Sequence, residues 1–392
     1  LFQQNLSTLS SFTQEIFSGI RVIKAYAIEV KKQNEFNALT NDSREKAMDL
    51  AKTNALFGPL LILLIGLSNL IVIYVGGNMY INGTIPDFGV IAQFVLYINM
   101  LTWPVASLGW VSSLVQEAEA SQKRINEFLK EEPEIKNTNQ NHTSIEGTIK
   151  FDQVSFEYDD TNIKALDKIS FEIKKGKTLA ILGKTGSGKS TLLTLISRLY
   201  DTNSGTVYID NKDIKDLNLF DLRNQISVVP QDAFLFSDSI KNNIKFGNEM
   251  ATDEEVIEAA KKAVVHDNIM TFNHQYETIL GERGITLSGG QKQRVSIARA
   301  LIKNAPVLLL DDCLSAVDTE TEETILNNLL TYCKDKTTII VSHRISSAKN
   351  ADSIIILDEG KIVEQGTHSQ LVELNGYYKE LYLKQLSEKE ID

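Results

Sequence analysis

Residues 179–193 read LAILGKTGSGKSTLL, a stretch that is apolar at its start and glycine-rich at its centre. The apolar start is typical of a buried strand, and the residues from Lys189 onward suit the first turns of a helix. Between them, residues 183–190 match the pattern GxxxxGK[ST], whose glycines let backbone N–H groups wrap a polyphosphate. A helix that begins at such a loop adds the positive end of its dipole. The stretch therefore predicts a strand–loop–helix unit that binds nucleotide phosphates.

The residue types of this loop predict separate roles in phosphate binding. Lys189 would bridge the β- and γ-phosphates, and the Ser190 hydroxyl would ligate Mg²⁺. A glycine-rich turn without a ligand is the alternative, but this pattern arises by chance in only about one chain in a hundred of this size. The candidate nucleotide-binding residues here are Gly183, Thr185, Gly186, Ser187, Gly188, Lys189, Ser190 and Thr191.

A second apolar run further along the chain ends in two carboxylates. Residues 307–310 read VLLL and are followed by Asp311 and Asp312. A carboxylate at the C-terminal end of a neighbouring strand can hold Mg²⁺ through water, so Asp311 is a candidate metal ligand. A buried strand that ends in Asp is a weak signal alone, and the phosphate loop makes it a strong one.

Residues 287–291 read LSGGQ and precede a stretch that is predicted to be helical, residues 292–303. Two glycines after a serine at a helix start would offer bare N–H groups to an anion. Capping of the helix by Ser288 explains the same pattern. On these residues alone both interpretations stay open.

Apolar, β-branched runs alternate with helical segments over the second part of the chain. Strands joined by crossover helices predict an α/β domain with a largely parallel sheet. The predicted strands are residues 150–156, 178–182, 226–229, 307–310, 337–341 and 353–357.

The first third of the chain has a different composition. No charged residue occurs between Thr53 and Pro86, and none occurs between Phe88 and Gln116. Each stretch exceeds the roughly 20 apolar residues that cross a bilayer, so we predict two transmembrane helices rather than buried core helices. Lys and Arg flank the pair on both outer sides and are absent from the turn at residues 80–87, which predicts cytoplasmic flanks. A helix break is expected at Gly19, and the absence of a start signal suggests a chain that continues a longer membrane domain.

The composition of the whole chain limits the classes of function. Its 392 residues suggest two or three domains, at about 150 residues each. With 40 Lys plus Arg against 51 Asp plus Glu, the net charge of −11 argues against a nucleic-acid partner. The spacing of Cys313 and Cys333 suggests neither a metal site nor a redox pair.

The motifs together resemble those of ABC transporters, and the chain as a whole is similar to an ABC exporter half-transporter. The resemblance implies part of an α-helical transmembrane domain followed by an α/β P-loop ATPase domain with a helical subdomain. It assigns residues 1–130 to a coupling helix and the last two transmembrane helices, residues 131–147 to a polar linker, and residues 148–392 to the nucleotide-binding domain.

The resemblance also implies roles for residues outside the phosphate loop. Tyr158 matches the aromatic residue that stacks on adenine, Gln231 matches the Q-loop glutamine beside Mg²⁺, and His343 matches the switch histidine. The implied catalytic set is Asp312, His343, Gln231 and Lys189, and the implied metal set is Ser190, Gln231 and Asp311.

Further segments match family elements that act between subunits. In the family LSGGQ completes the ATP site of the opposite subunit, which makes Ser288, Gly289, Gly290 and Gln291 further nucleotide-binding candidates. Ser315–Asp318 resembles the D-loop, Gly281–Gly284 resembles the x-loop, and Ser18–Tyr26 resembles a coupling helix that docks on the partner's ATPase domain.

Asp312 departs from the family pattern, which has Glu as the catalytic base at this position. One missing methylene retracts the carboxylate by about 1.5 Å. A base must lie within about 2.6–3.2 Å of the proton it takes, and a misplacement near 1 Å can cost about a hundredfold in rate. A slow site beside an intact LSGGQ favours pairing with a different half-transporter over a homodimer.

The sequence thus predicts an ATP hydrolase that drives export of a small molecule, lipid or peptide across the cell membrane. Its partners would be the lipid bilayer, the transported substrate and a second subunit, its cofactors ATP and Mg²⁺, and its nucleotide-binding domain would lie in the cytoplasm. An ATP-gated, channel-like protein remains an alternative. A soluble DNA-repair ATPase is rejected, because only about a hundred residues separate Lys189 from Ser288 and leave no room for its coiled coil.

Overall fold

The computed structural model describes residues 2–281, 284, 286–314 and 319–389, and the chain divides into two compact units, residues 1–132 and 133–392. The D-loop segment 315–318, and residues 282, 283 and 285 in and beside the x-loop segment, lie outside the described residues. The helices of the first unit are α1 (Phe2–Ser18), α2 (Ile20–Ala25), α3 (Glu29–Ile81) and α4 (Gly89–Lys130).

One long helix of the first unit contains most of each predicted transmembrane stretch: α3 ends at Ile81, and α4 begins at Gly89. α3 and α4 are long and apolar enough to cross a membrane, and 0% and 6% of their apolar windows are buried inside the protein. Neither helix is therefore the core of a soluble fold, which was the alternative for both stretches. The break expected at Gly19 is confirmed, because α1 ends at Ser18 and α2 begins at Ile20.

Small and polar residues set the helix contacts of the first unit. A Cβ on Gly76 of α3 would lie 2.9 Å from Cγ1 of Ile91 on α4, so a larger residue would push the two helices apart. Between α1 and α3, Asn5 Nδ2 donates to Asp42 Oδ2 at 2.5 Å, and Lys46 Nζ lies 2.6 Å from the same oxygen. Asn5 is buried, and this network fixes the register of the two polar helices.

The second unit contains both sheets of the described chain. Its strands are β1 (Ile149–Tyr158), β2 (Ile163–Ile173), β3 (Thr178–Gly183), β4 (Ser204–Ile209), β5 (Lys212–Asp213), β6 (Ile226–Val229), β7 (Val307–Asp311), β8 (Thr337–Val341), β9 (Ser353–Asp358) and β10 (Lys361–Gly366). Its α-helices are α5 (Lys189–Ile196), α6 (Leu219–Asn224), α7 (Ile240–Lys245), α8 (Asp253–Lys262), α9 (His266–Met270), α10 (Gly289–Ile302), α11 (Thr319–Tyr332), α12 (Ile345–Ala348), α13 (His368–Glu373) and α14 (Tyr377–Lys389).

The larger sheet has the strand order β10-β9-β3-β8-β7-β6. Its strands pair in parallel except at β10, an antiparallel edge strand. Every residue of β8 and the first four of β7 are buried, as expected of parallel strands that are covered on both faces. The carboxyl ends of β3, β6, β7 and β8 therefore meet at one edge of the sheet.

The six predicted strands are all present, five of them in this sheet, so the prediction of an α/β domain with a largely parallel sheet is confirmed. The first, β1, belongs instead to an antiparallel sheet of order β2-β1-β4-β5. A second apolar cluster unites α7, α8 and α10 through buried residues that include Ile240, Val256 and Val295, and it continues onto Leu308 and Leu310 of β7. These helices, the expected helical subdomain, therefore pack on one face of the larger sheet.

The polar stretch interpreted as a linker is part of the second unit from Pro133 onward. The Asp210 carboxylate accepts N–H groups of Glu146 at 2.7 Å and Thr148 at 2.8 Å, and Ile145 is buried. Asn139 Nδ2 donates to the Asp216 carbonyl at 2.7 Å. The asparagine-rich sequence therefore binds along the domain surface, because short polar side chains satisfy exposed backbone groups.

Candidate nucleotide site

The phosphate loop joins β3 to α5 and has a backbone that only glycine adopts without strain. Gly183, Gly186 and Gly188 have φ angles of 154°, 80° and 95°. A Cβ on Gly183 would lie 2.1 Å from the Leu357 carbonyl oxygen, and one on Gly188 would lie 2.3 Å from that of Ala165. The backbone of the loop therefore requires glycine at these three positions. Thr185 and Gly186, at the crest of the loop, are exposed and accessible to a ligand.

Lys189, the first residue of α5, lies inside the loop that it closes. Its ammonium group donates to the carbonyl of Gly183 at 2.9 Å and to that of Lys184 at 2.7 Å. Burial lowers the pKa of Lys189, and the negative charges of Asp312 and Asp311 partly oppose this shift. A largely buried cation held by neutral carbonyls stabilises an anion bound at the same loop.

A polar atom without a partner points to a ligand at this loop. Ser187 is 3% exposed, and its Oγ is buried with no hydrogen-bond partner among the described residues. A hydroxyl in that position normally has a partner, because burial without one costs free energy. The glycine backbone, the helix start, Lys189 and Ser187 together fit a bound polyphosphate.

Two predicted metal ligands are in direct contact. Ser190 Oγ, at the start of α5, donates to Asp311 Oδ1 at the end of β7 over 3.0 Å. Oxygen ligands of this kind suit Mg²⁺, which commonly uses one or two protein oxygens together with substrate phosphates. Among the described residues no group of three or more His, Cys, Asp or Glu side chains could hold a metal alone. The pair therefore fits Mg²⁺ held jointly with a nucleotide.

The Asp311 and Asp312 carboxyls titrate above their ordinary range. Burial raises the pKa of Asp311, and its hydrogen bond from Ser190 opposes the shift. Burial also raises the pKa of Asp312, against the charge and the backbone N–H of His343. Asp312 has a φ of 42°, and its N–H donates to the Val341 carbonyl at 2.9 Å. Both carboxyls are thus held at the sheet edge, as expected of a catalytic pair.

His343 follows β8 by two residues and is half-buried. Gln231 follows β6 by two residues and is exposed. Both predicted residues therefore lie at the same edge of the sheet as the phosphate loop and Asp311. Parallel strand order brings them together from positions more than a hundred residues apart in sequence.

Tyr158 ends β1 and connects the antiparallel sheet to the phosphate-loop helix. Its hydroxyl lies 3.1 Å from Thr191 Oγ1, and its ring packs edge-on against Phe156 and Tyr200, with centroids 4.9 and 5.5 Å away. The ring is only partly buried and lines a surface pocket with Tyr200 and Asp160. This geometry suits both an adenine contact and a structural role, and the adenine assignment stays a prediction.

The LSGGQ segment begins α10 with a capping box. Ser288 Oγ accepts the Gln291 N–H at 3.3 Å, and Gln291 Oε1 accepts the Ser288 N–H at 3.0 Å. The capping interpretation of Ser288 is therefore correct, and Ser288 and Gly289 are still exposed. Within the described part of the chain, no hydrogen bond joins residues 288–291 to the phosphate loop. The structure does not bring these candidates to the site formed by Lys189 and Asp311.

Sequence reasoning missed Glu322, which supports the segment after His343. Glu322 lies on α11, is 2% exposed, and pairs with Arg344. Its other oxygen accepts the hydroxyls of Ser346 at 3.0 Å and Ser347 at 3.1 Å. More than twenty residues separate Glu322 from these partners, so no local pattern could identify it.

Comparison with known proteins covers both units. A family model described as the ABC transporter matches residues 166–315, and one described as the ABC transporter transmembrane region matches residues 2–105. Over all 392 residues the chain is 38% identical to the multidrug resistance-like ATP-binding protein MdlA of Escherichia coli strain K12, of which it covers 66%. It is 39% identical to the protein of that name from Buchnera aphidicola, of which it covers 67%.

A solved structure of a bacterial Atm1-family ABC exporter with ATP bound matches 98% of the chain, with a TM-score of 0.90 and 30% sequence identity. This chain covers 68% of that exporter. It therefore spans about two thirds of the length of the proteins it matches.

Proposed function

The chain belongs to the ABC transporter family, and from this membership and its phosphate-loop geometry we propose that it couples ATP hydrolysis to export across a membrane. The observation that carries the proposal is the common sheet edge at which β3, β6, β7 and β8 end. This edge holds the phosphate loop, Gln231, the Asp311–Asp312 pair and His343. The chain is embedded in the membrane through its first unit, with the ATPase domain in the cytoplasm.

Each residue at the sheet edge has a chemical role in this proposal. Lys189 and the loop N–H groups bind the β- and γ-phosphates, and Ser190 with Asp311 would hold Mg²⁺, which would neutralise phosphate charge. Asp312 takes the proton of the attacking water, and its raised pKa matches that task. His343 and Gln231 orient the water and the γ-phosphate. Tyr158 stacks on the adenine.

The proposed transporter is a dimer in which two ATPase domains enclose two ATP molecules. The exposed Ser288 and Gly289 support this arrangement, because they start a helix and make no described hydrogen bond with their own phosphate loop. Closing the dimer would switch the membrane domains between inward- and outward-facing states, and hydrolysis would reset the cycle. Asp312 in place of Glu supports a heterodimer.

Small amphipathic compounds are the proposed substrate class, because the two relatives carry multidrug resistance in their names. Transport would be measured as ATP-dependent accumulation of ethidium inside inverted vesicles. Accumulation above the external concentration supports export. Equilibration that never exceeds it would instead favour an ATP-gated, channel-like protein.

The phosphate-loop assignment is tested by Lys189→Ala in the detergent-solubilised chain. Loss of the buried ammonium should weaken ATP binding, followed by fluorescence titration with a labelled ATP analogue, by about tenfold or more. Lys177→Ala is the control, because Lys177 lies at the opposite end of β3 and its exposed side chain pairs with Asp352. Equal affinity of the Lys189 variant and the parent would contradict the proposed function.

A further inference from the structure

The C-terminal helix α14 contacts the chain on both sides of His343. Gln385 Nε2 donates to the His343 carbonyl at 2.9 Å, and Gln385 Oε1 accepts the Ile345 N–H at 2.8 Å. One side-chain amide thus bridges two backbone groups that flank Arg344. Gln385 lies forty residues or more from both partners, and no sequence motif marked it.

The two backbone groups held by Gln385 have no partner in regular secondary structure. β8 ends at Val341, so the His343 carbonyl lies beyond the strand ladder. Ile345 is the first residue of α12, and the N–H groups of a first helical turn lack intrahelical acceptors. Arg344 at the N-cap supplies no side-chain cap. Gln385 therefore caps α12 from a distant helix.

The segment is also fixed from its other side. The buried carboxylate of Glu322 accepts the Ser346 and Ser347 hydroxyls and pairs with Arg344, which anchors α12. Between Val341 and Ile345, the Ser342 N–H donates to the Ile181 carbonyl at 3.2 Å and the Arg344 N–H donates to Ser342 Oγ at 3.0 Å. The His343 carbonyl is the group of this stretch that Gln385 holds.

α14 is itself firmly seated on the second unit. Tyr378 is fully buried, and its hydroxyl lies 2.6 Å from His368 Nδ1. The Glu364 carboxylate of β10 accepts the N–H groups of Tyr377 at 2.5 Å and Tyr378 at 3.1 Å. The helix therefore presents Gln385 from a fixed support rather than from a mobile tail.

From this geometry we propose that Gln385 is a positioning residue, which sets the backbone of His343 so that its imidazole meets the γ-phosphate correctly. The inference rests on the proposed function, because it assigns Gln385 a part in ATP hydrolysis. The proposal gives the C-terminal helix α14 a role in catalysis in addition to its contribution to the core. Gln385 touches neither nucleotide nor water and acts only through His343.

The test compares steady-state ATP turnover of the full chain with that of Gln385→Met, which keeps the side-chain length and removes both hydrogen bonds. We expect kcat to fall about ten- to a hundredfold, the effect of a misplacement near 1 Å. The dissociation constant for ATP should stay within about twofold of the parent value, since the phosphate loop is untouched. Gln385→Glu keeps the acceptor for Ile345 and loses the donor to His343, and its kcat should fall as well.

A double-variant cycle separates positioning from a merely structural role. Gln385→Met should lower the kcat of the parent but should not lower the kcat of the His343→Ala variant any further. The reason is that both substitutions act through the same imidazole. Lys384→Ala, an exposed neighbour on α14, is the control and should match the parent. An unchanged kcat in Gln385→Met would overturn the proposal, and so would a further fall in the His343→Ala background.

Hydrogen exchange decides the same point without nucleotide. The Ile345 amide should exchange about fivefold faster in Gln385→Met than in the parent or in Lys384→Ala. An unchanged exchange rate would contradict the proposed backbone contact. Absence of ATP turnover in both the parent and Asp312→Glu would overturn the proposed function instead, while the exchange rate would still determine whether Gln385 holds the segment.

Discussion

Adjacent carboxylates at Asp311 and Asp312 are costly to keep charged. Burial raises the pKa of both groups, and the nearby charges of Lys189 and His343 offset only part of the shift. Partly buried carboxylates with raised pKa values destabilise the unliganded fold, and such pairs are typical of binding or catalytic sites. The same argument applies to Lys189, whose pKa is lowered by burial. At the scale of single residues, the site is most stable when an anion and a cation complete it.

Replacing Asp312 by Asn should therefore stabilise the protein without nucleotide and Mg²⁺. The raised pKa means that the folded state takes up a proton at a higher pH than the unfolded chain, so stability decreases as pH rises through the raised pKa. The thermal midpoint of Asp312→Asn in EDTA should exceed that of the parent near pH 7.5. The gain should shrink as pH falls through the raised pKa.

The exposed Asp335 offers the control for this measurement. Asp335→Asn also removes one negative charge, but at the surface, and it should leave the thermal midpoint unchanged. A lower midpoint for Asp312→Asn than for the parent would contradict the electrostatic argument.

At the scale of elements, the predictable parts are those whose signal is local. The β3–loop–α5 unit could be identified because glycines, strand and helix are contiguous, and β7 could be identified from an apolar run that ends in Asp311. The antiparallel sheet was not predicted, because the partners of β1 follow from long-range pairing. Glu322 and Gln385 also escaped prediction, since each meets its partners across more than twenty residues.

Ser288 has two separable roles at the start of α10. Its hydroxyl caps the helix, and in the proposed dimer it would also meet the γ-phosphate in the partner's site. Ser288→Asp should keep the cap, because Asp is as good an N-cap as Ser, while its charge repels a phosphate. Ser288→Ala removes the cap and should lower the free energy of unfolding by about 1 kcal/mol.

The two measurements should therefore rank the variants in opposite order. In denaturant unfolding, Ser288→Asp should match the parent and Ser288→Ala should be less stable. In ATP turnover, Ser288→Asp should be the slowest of the three proteins. If Ser288→Asp hydrolysed ATP as fast as the parent, Ser288 would be a helix cap only.

At the scale of the whole molecule, the chain holds one phosphate loop and one LSGGQ, and in the proposed dimer these two segments belong to different ATP sites. In the proposed function the loop site depends on Asp312, whose carboxylate is one methylene shorter than that of a Glu. The LSGGQ segment is complete and exposed at Ser288 and Gly289. A homodimer would contain two slow sites, whereas a partner that carries Glu would give this LSGGQ a fast site to complete.

Asp312→Glu should therefore accelerate ATP turnover strongly in the chain purified alone and only modestly in a heterodimer. The longer side chain moves the base about 1.5 Å toward the attacking water, and such a shift can change the rate of hydrolysis by up to about a hundredfold. In a heterodimer the partner's site already sets the rate, so a second fast site adds little. Asp312→Asn is the matched control, because it keeps the length of Asp and removes the base, and it should abolish the residual turnover of the chain alone. Fast turnover by the unmutated chain alone, insensitive to Asp312→Asn, would mean that the base lies elsewhere and that the chain needs no different partner.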